Sequence, residues 1–230
     1  MAISFKAPTA LLLIDNQKAF GLTSPSTPCH WGTARSNPSL EANLTALITA
    51  FRAAKAKAPS SSLEVIHVFH SSILPDSALH PSANNGINIQ PLPFAAPLAD
   101  DSETVFWKSV NSAFIGTGLE SYLRARGIRQ LIVAGITTDH CVSTSVRMAA
   151  NLKVVDRFPE GEPALRDDGT QEGGVVVDKG RIVLVGDATA TWAKGGFDAE
   201  TVHAVTLASL DEEFVDVLGT QEVVAALKAL

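Results

Sequence analysis

The sequence is short of cysteine, of clustered positive charge and of long apolar runs, and each shortage argues against a class of protein. Only two of its 230 residues are cysteines, Cys29 and Cys141, too few for a disulfide framework, so we expect both to be thiols. No uninterrupted apolar run approaches the roughly 20 residues of a membrane span, and we predict no contact with a membrane. The lysines and arginines are scattered and the net charge is -6. This balance argues against nucleic acid and favours a small molecule as the partner.

The amino-terminal stretch and the chain length predict a cytoplasmic protein of one domain. The run "MAISFKAPTALLLIDNQ" is interrupted by an aspartate, and no small-residue cleavage site follows it, so we expect no secretory signal. Single α/β domains commonly have roughly 200 to 250 residues. Residues 1–230 are therefore expected to form one domain, without internal repeats.

Short apolar segments alternate with helical patterns along the chain. Segments rich in β-branched residues predict strands buried on both faces of a parallel sheet, at 10–15, 63–69, 130–135 and 181–187. Helices are predicted from Ser39, before Gly127, and over 199–219, where Gly219 would close a long amphipathic helix. The alternation predicts an α/β fold, a three-layer α/β/α sandwich around a mainly parallel central sheet.

The segment 156–180 does not follow this alternation, because it is rich in glycine, proline and acidic residues. We predict a surface excursion there. Its end is expected to be a β-hairpin with a turn at Asp178, Lys179 and Gly180.

The stretch "GITTDHCVSTSVRMAA" places Cys141 just after a predicted strand and at the start of a predicted helix. The positive end of a helix and its unsatisfied N–H groups would lower the pKa of this thiol and stabilise a thiolate. The same amides could form an oxyanion hole. The alternative is that Cys141 only packs in the core, as free cysteines often do.

Two further residues could complete a nucleophilic site. Asp15 ends the first predicted strand, and ligands of parallel sheets bind beyond the carboxyl ends of the strands, so Asp15 and Cys141 should face one crevice. Asp15 could take the thiol proton or merely cap the next segment. Lys108 follows three apolar residues in "ETVFWKSVNSAF". If its side chain is partly buried, its charge requires a carboxylate as partner; the alternative is that Lys108 is a surface lysine. His140 need not touch the sulfur, because neighbours at a helix start point about 100° apart.

These residues resemble a known family, the isochorismatase-like cysteine hydrolases, whose members include nicotinamidases and N-carbamoylsarcosine amidohydrolases. The resemblance rests on the blocks "LLLIDNQKAF", "VFWKSVNSAF" and "LIVAGITTDHCVSTSVRMAANL", in the family's order and approximate spacing. It extends to "VGDATAT" and "DAETVHAVTLASLDEEFVDVLGT". Most of the chain outside 156–180 is covered.

The resemblance implies a catalytic triad of Asp15, Lys108 and Cys141 that hydrolyses a C–N bond of a small amide or ureido compound through a thioester-type intermediate. It also implies a cis peptide at Ile136-Thr137, which would aim the backbone amides of Thr137 and Cys141 at one oxyanion. A dimer or tetramer is a further expectation from the family. The alternatives are an enol-ether hydrolase without covalent catalysis, as in isochorismatases, and a catalytically idle binding module.

We expect no cofactor and no metal. Nicotinamidases of this family hold a metal with an Asp-x-His arrangement, which is absent from "HVFHSSILPDSALHPSANNG" although His67, His70, Asp76 and His80 lie there. We interpret His67 as a strand residue. Four aromatic residues close in sequence to the proposed site are candidates for substrate contact or, alternatively, for the core: Phe20, Trp31, Trp107 and Phe114.

Overall fold

Six parallel strands form the centre of the molecule in a computed structural model that describes residues 3–21, 29–57, 62–162, 164–171 and 175–230. The strands are β1 (Thr9–Ile14), β2 (Leu63–His70), β3 (Thr104–Lys108), β4 (Gln130–Ile136), β5 (Arg181–Ala190) and β6 (Asp216–Leu218). Their order is β3-β2-β1-β4-β5-β6, and every neighbouring pair is parallel. All the carboxyl ends therefore lie along one edge of the sheet.

Helices cover both faces of the sheet. They are α1 (Leu40–Lys57), α2 (Leu119–Ala125), α3 (Ser143–Asn151), α4 (Ala199–Leu210) and α5 (Thr220–Lys228). Along β1, Leu11 and Leu13 join the core beneath α1 and α5, whereas Leu12 and Ile14 join the core beneath α2, α3 and α4. This alternation confirms the predicted three-layer sandwich. No helix in the described part of the chain is long and apolar enough to cross a membrane.

The prediction of one long helix over 199–219 is wrong. Helix α4 ends at Leu210, and the chain then forms β6 along the edge of β5, with Val183 opposite Asp216 and Val185 opposite Leu218. Gly219 precedes α5 instead of closing α4. The physical reason is that the open edge of β5 offers backbone partners to this segment, which an isolated amphipathic pattern cannot reveal.

The predicted hairpin turn at 178–180 is also wrong. Asp178 forms an antiparallel bridge with Arg157, and the amide of Gly180 donates to Asp156 Oδ1 at 2.9 Å, so these residues lead directly into β5. A tight turn lies earlier, where the amide of Arg166 donates to the Thr170 carbonyl at 2.8 Å. The described residues of 156–180 are mostly exposed, as predicted for an excursion; residues 163 and 172–174 lie outside the described ranges.

Candidate active site

Adjacent strands bring three polar residues together at the carboxyl edge of the sheet. Asp15 directly follows β1, His70 ends β2 and Lys108 ends β3. His70 and Lys108 are partners in the register of the two strands. Asp15 has a φ of 52°, and its amide donates to the Val68 carbonyl of β2 at 2.8 Å, which fixes the turn that follows β1.

Asp15, Lys108 and Cys141 form one buried cluster. The ammonium Nζ of Lys108 lies 2.8 Å from Asp15 Oδ2 and 3.2 Å from Cys141 Sγ. Asp15 is 0 %, Lys108 2 % and Cys141 7 % exposed. A lysine charge that is removed from water in this way requires its carboxylate partner, so the alternative that Lys108 is a surface residue is wrong.

The Lys108 ammonium has two further acceptors. It donates to His70 Nδ1 at 3.0 Å and to the backbone carbonyl of Val110 at 3.2 Å. The Cys141 sulfur also lies 4.0 Å from Asn111 Oδ1, so the segment that follows β3 surrounds the cluster on one side.

Cys141 lies in a π-helical turn, Thr138–Val142, that connects β4 to α3. The Ile136-Thr137 peptide before this turn is cis, at the bond for which the family resemblance implied it. Gly135 has a φ of 126°, and a Cβ atom there would lie 2.1 Å from the Ile14 carbonyl oxygen. Only glycine fits this close approach of β4 to β1.

Side chains from two other segments hold the turn in place. Ser145 Oγ accepts from the amide of Ala113 at 2.9 Å and donates to the Cys141 carbonyl at 2.6 Å. Thr138 Oγ1 contacts His203 Nδ1 of α4 at 2.9 Å. The turn Thr138–Val142 is thus tied to the segment after β3 and to α4.

Asp139, the residue two before Cys141, points away from the cluster to the chain after β5. Its carboxylate is bonded to the Lys194 ammonium and to the Thr191 hydroxyl. His140 is exposed and lies 3.5 Å from the same carboxylate. This agrees with the sequence argument that His140 need not act on the sulfur.

Burial controls the titration of the cluster. It raises the pKa of the Cys141 thiol, and the Asp15 carboxylate raises it further, against the opposing charge of Lys108. The prediction that the helix start lowers this pKa is therefore wrong, because loss of water and a neighbouring carboxylate outweigh the local dipole. Burial also raises the pKa of Asp15, against the effect of Lys108. The resting sulfur is a protonated thiol beside a carboxylate of increased basicity.

The sequence model of one family, described as "Isochorismatase domain", matches residues 9–222. The chain belongs to the isochorismatase family. It is 32% identical over 220 residues to the uncharacterized isochorismatase family protein YrdC of Bacillus subtilis, with 94% of each chain covered. It superposes on the crystal structure of an isochorismatase-family protein from Chromobacterium violaceum with a TM-score of 0.74, 32% identity, and 100% and 99% of the two chains covered. A local match of 48% identity over 46 residues, 20% of each chain, relates it to the ureidoacrylate amidohydrolase RutB of Agrobacterium fabrum.

The four aromatic candidates of this isochorismatase-family chain occupy different places. Phe20 and Trp31 stack with ring centroids 4.1 Å apart, beside Trp192. Phe114 is buried in the same core cluster as Cys141. Trp107 is 48% exposed and packs against Phe69 at 5.4 Å, on the opposite face of β3 from Lys108, so the structure does not bring it to the cluster.

The residues around the cluster do not fit a resident metal ion. Ligand atoms of Asp15, His70 and Cys141 lie within 4.8 Å of one another, but the Lys108 ammonium lies within 3.2 Å of an acceptor atom of each of them. A divalent cation would have to share that space with a fixed positive charge. The other candidates are engaged elsewhere or exposed: His67 contacts Glu103, His80 contacts Ser82, and Asp76 is exposed.

The sequence does not single out His70, Asn111 or Ser145 as site residues. The sequence offers His70 only as a candidate metal ligand, although its place at the end of β2 puts it on the same sheet edge as Asp15. Asn111 and Ser145 lie within the blocks that carry the resemblance, but nothing in their spacing distinguished them. Both cysteines are free thiols, as predicted.

Proposed function

We propose that this isochorismatase-family hydrolase cleaves a C–N bond of a small amide or ureido compound, with Cys141 as the nucleophile. The single observation that carries the proposal is the Lys108 ammonium between the Asp15 carboxylate and the Cys141 sulfur, at 2.8 and 3.2 Å. Such an arrangement of base, cation and thiol is what covalent thiol catalysis requires. The local identity to ureidoacrylate amidohydrolase supports C–N cleavage over other hydrolyses.

In the proposed acylation step, Asp15 takes the proton of the Cys141 thiol while the sulfur attacks the carbonyl carbon. A C–S bond forms, and the electron pair of the C=O bond moves to the oxygen. The backbone amides of Thr137 and Cys141 are proposed to donate to this oxyanion. When the carbonyl re-forms, the C–N bond breaks and the protonated Asp15 gives its proton to the leaving nitrogen.

In the proposed deacylation step, water attacks the thioester carbon and Asp15 takes a proton from it. The C–S bond then breaks, the acid product leaves, and the proton returns to the sulfur. The raised pKa of Asp15 suits both roles, because a carboxylate of increased basicity accepts a thiol proton more readily. The positive charge of the Lys108 ammonium stabilises the thiolate that forms when Asp15 takes the proton.

Substrate contacts are proposed for Phe20, Trp31 and Phe114. Phe20 lies shortly after Asp15 in the chain and stacks on Trp31, whereas Phe114 shares the core cluster of Cys141. An apolar wall with a few polar groups is typical of small-molecule pockets. Assembly into a dimer or tetramer is a further proposal, which light scattering would test.

The deciding experiment is intact-protein mass spectrometry after brief mixing with a panel of small amides, ureido acids including ureidoacrylate, nicotinamide and isochorismate. Wild type is compared with Cys141→Ala and with Cys29→Ala, a matched control because Cys29 is a second buried thiol, whose sulfur contacts the Ala19 carbonyl at 3.6 Å. We expect a transient mass gain in wild type and Cys29→Ala that Cys141→Ala lacks.

Other outcomes assign other chemistries. Consumption of isochorismate by Cys141→Ala at the wild-type rate would refute nucleophilic catalysis and favour the enol-ether alternative. Turnover of an amide by Asp15→Asn at the wild-type rate would refute Asp15 as the base.

A further inference from the structure

The Lys108 ammonium has more acceptors around it than protons to give. An ammonium carries three N–H donors, but four acceptors surround this one: Asp15 Oδ2 at 2.8 Å, His70 Nδ1 at 3.0 Å, and the Val110 carbonyl and Cys141 Sγ, each at 3.2 Å. The four acceptors therefore compete. The Asp15 carboxylate accepts the strongest hydrogen bond from the ammonium, because it is charged and nearest. The thiol sulfur is the weakest acceptor of the four.

Hydrogen bonds between the Gln17 side chain and the backbone of His70 hold this residue in place. The Gln17 side chain accepts from the His70 amide at 2.8 Å and donates to the His70 carbonyl at 2.9 Å. Gln17 is fully buried and lies two residues after Asp15, so the end of β2 is fixed to the segment that carries the base. The cross-strand register then places the ring of His70 beside Lys108.

The contact with the Lys108 ammonium defines the role of the His70 ring, because an ammonium only donates and Nδ1 must therefore accept. Burial, together with the charge of Lys108, lowers its pKa to about 4. A neutral imidazole that accepts through Nδ1 carries its own proton on Nε2. Its Nδ1 lone pair is thus always available to the Lys108 ammonium near neutral pH.

We propose that His70 is a positioning residue. Its Nδ1 accepts a hydrogen bond from one of the three N–H groups of the Lys108 ammonium, so this N–H group does not donate to the resting Cys141 sulfur. The importance of this for turnover rests on the proposed function, whereas the competition itself does not. When Asp15 removes the thiol proton, the sulfur becomes a charged acceptor and the ammonium turns a proton towards it, away from His70 or Val110. The thiol is thereby kept unreactive until the base acts.

Other charged groups near the turn Thr138–Val142 are engaged or distant from this competition. The groups that face the sulfur are Asp15, His70 and Lys108. On the turn and on α3 and α4, the other charged or titratable residues that the structure describes are Asp139, paired with Lys194, the exposed His140, Arg147, which lies over the Phe214 ring, Glu200, which accepts from the Asn37 amide, and His203, which contacts Thr138. On β2, Glu64 lies near Arg126, and His67 contacts Glu103.

The test is the pH dependence of Cys141 alkylation by iodoacetamide in wild type, His70→Leu and His70→Asn. Leucine and asparagine have similar shapes, but only asparagine places an acceptor near the position of Nδ1. We expect His70→Leu to lower the apparent pKa of the thiol by about one unit, a rate about tenfold higher near neutral pH. His70→Asn should retain the wild-type profile. Cys29, read from the same peptide digest, reports any general loosening of the fold.

Three results would overturn the proposal: alkylation of His70→Leu at or below the wild-type rate, a His70→Asn profile that follows His70→Leu, and a faster plateau at high pH without a shift of the apparent pKa. The last two results would mean that access of iodoacetamide to Cys141, not competition for a hydrogen bond from Lys108, sets the alkylation rate. If His70→Leu does not fold, His70→Gln replaces it, because its amide lies one bond further from the backbone and should also release the ammonium. The alkylation assay needs no substrate, so it tests this proposal even if the protein turns over none of the compounds in the substrate panel.

Discussion

Replacing Lys108 with methionine should destabilise the protein strongly, because it leaves a buried carboxylate without its partner. The side chains of Lys108 and Asp15 are both 0% exposed. Methionine nearly preserves the volume of the side chain but removes its charge. Removal of one member of a buried ion pair typically costs about 3–5 kcal/mol of unfolding free energy, a large part of the stability of an ordinary domain.

The loss should grow with pH. The pKa of Asp15 is raised in the folded state by burial and held down by Lys108, so the variant raises it further. A carboxyl group whose folded pKa is raised binds its proton more tightly in the folded chain, and stability falls as pH rises from the unfolded towards the folded value. In the window above the unfolded value of 3.8, the slope is at most about 1.4 kcal/mol per pH unit, the change for one proton. Cys141 does not contribute in that window, because burial raises its pKa above an already high ordinary value of 9.0.

Urea unfolding at about pH 5 and about pH 8 measures both effects. The control is the double variant Asp15→Asn with Lys108→Met, which has no buried charge at this position and should recover much of the stability at the higher pH. A Lys108→Met penalty below about 1 kcal/mol, or one that the double variant shares at every pH, would refute the reasoning.

Three further predictions concern two supports of the site and one buried carboxylate elsewhere in the fold. Gly135→Ala should destabilise the protein by more than about 3 kcal/mol in a urea titration, because a Cβ atom would lie 2.1 Å from the backbone of β1; a wild-type midpoint would contradict the strand packing. Burial would raise the pKa of Glu103, but hydrogen bonds from Arg52 and His67 outweigh it and lower this pKa to about 2 from 4.5. The stability from this carboxylate is therefore present above pH 4.5 and lost towards pH 2, so acid melting curves of Glu103→Gln should fall less steeply than those of wild type. Ser145→Ala should cost about 1–3 kcal/mol, because it leaves a buried amide and a buried carbonyl without their shared hydroxyl; unchanged thermal melting would show that the bridge does not hold the turn Thr138–Val142.

The main strands and the placement of two catalytic candidates could be predicted from the sequence. Nearly continuous apolarity identifies β1, β2, β4 and β5, because strands buried on both faces leave that pattern. Asp15 and Cys141 each follow such a strand, so the edge they share follows from parallel topology. Edge strands leave a weaker pattern. In β3, Trp107 is exposed while Lys108 is buried, and in β6 the segment after Leu210 also has helical spacing.

Only the tertiary structure decided the chemistry of the cluster. The register of β2 and β3 places His70 beside Lys108, which no local pattern indicates. The direction of the Cys141 pKa depends on how much water and which charges surround the sulfur, and these are properties of the packed site. Sequence alone determined that Asp15 and Cys141 reach the carboxyl edge of the sheet, because a buried strand and the residue that follows it leave a local pattern. The structure determined their protonation and their partners, because burial and hydrogen bonding arise between segments distant in the chain.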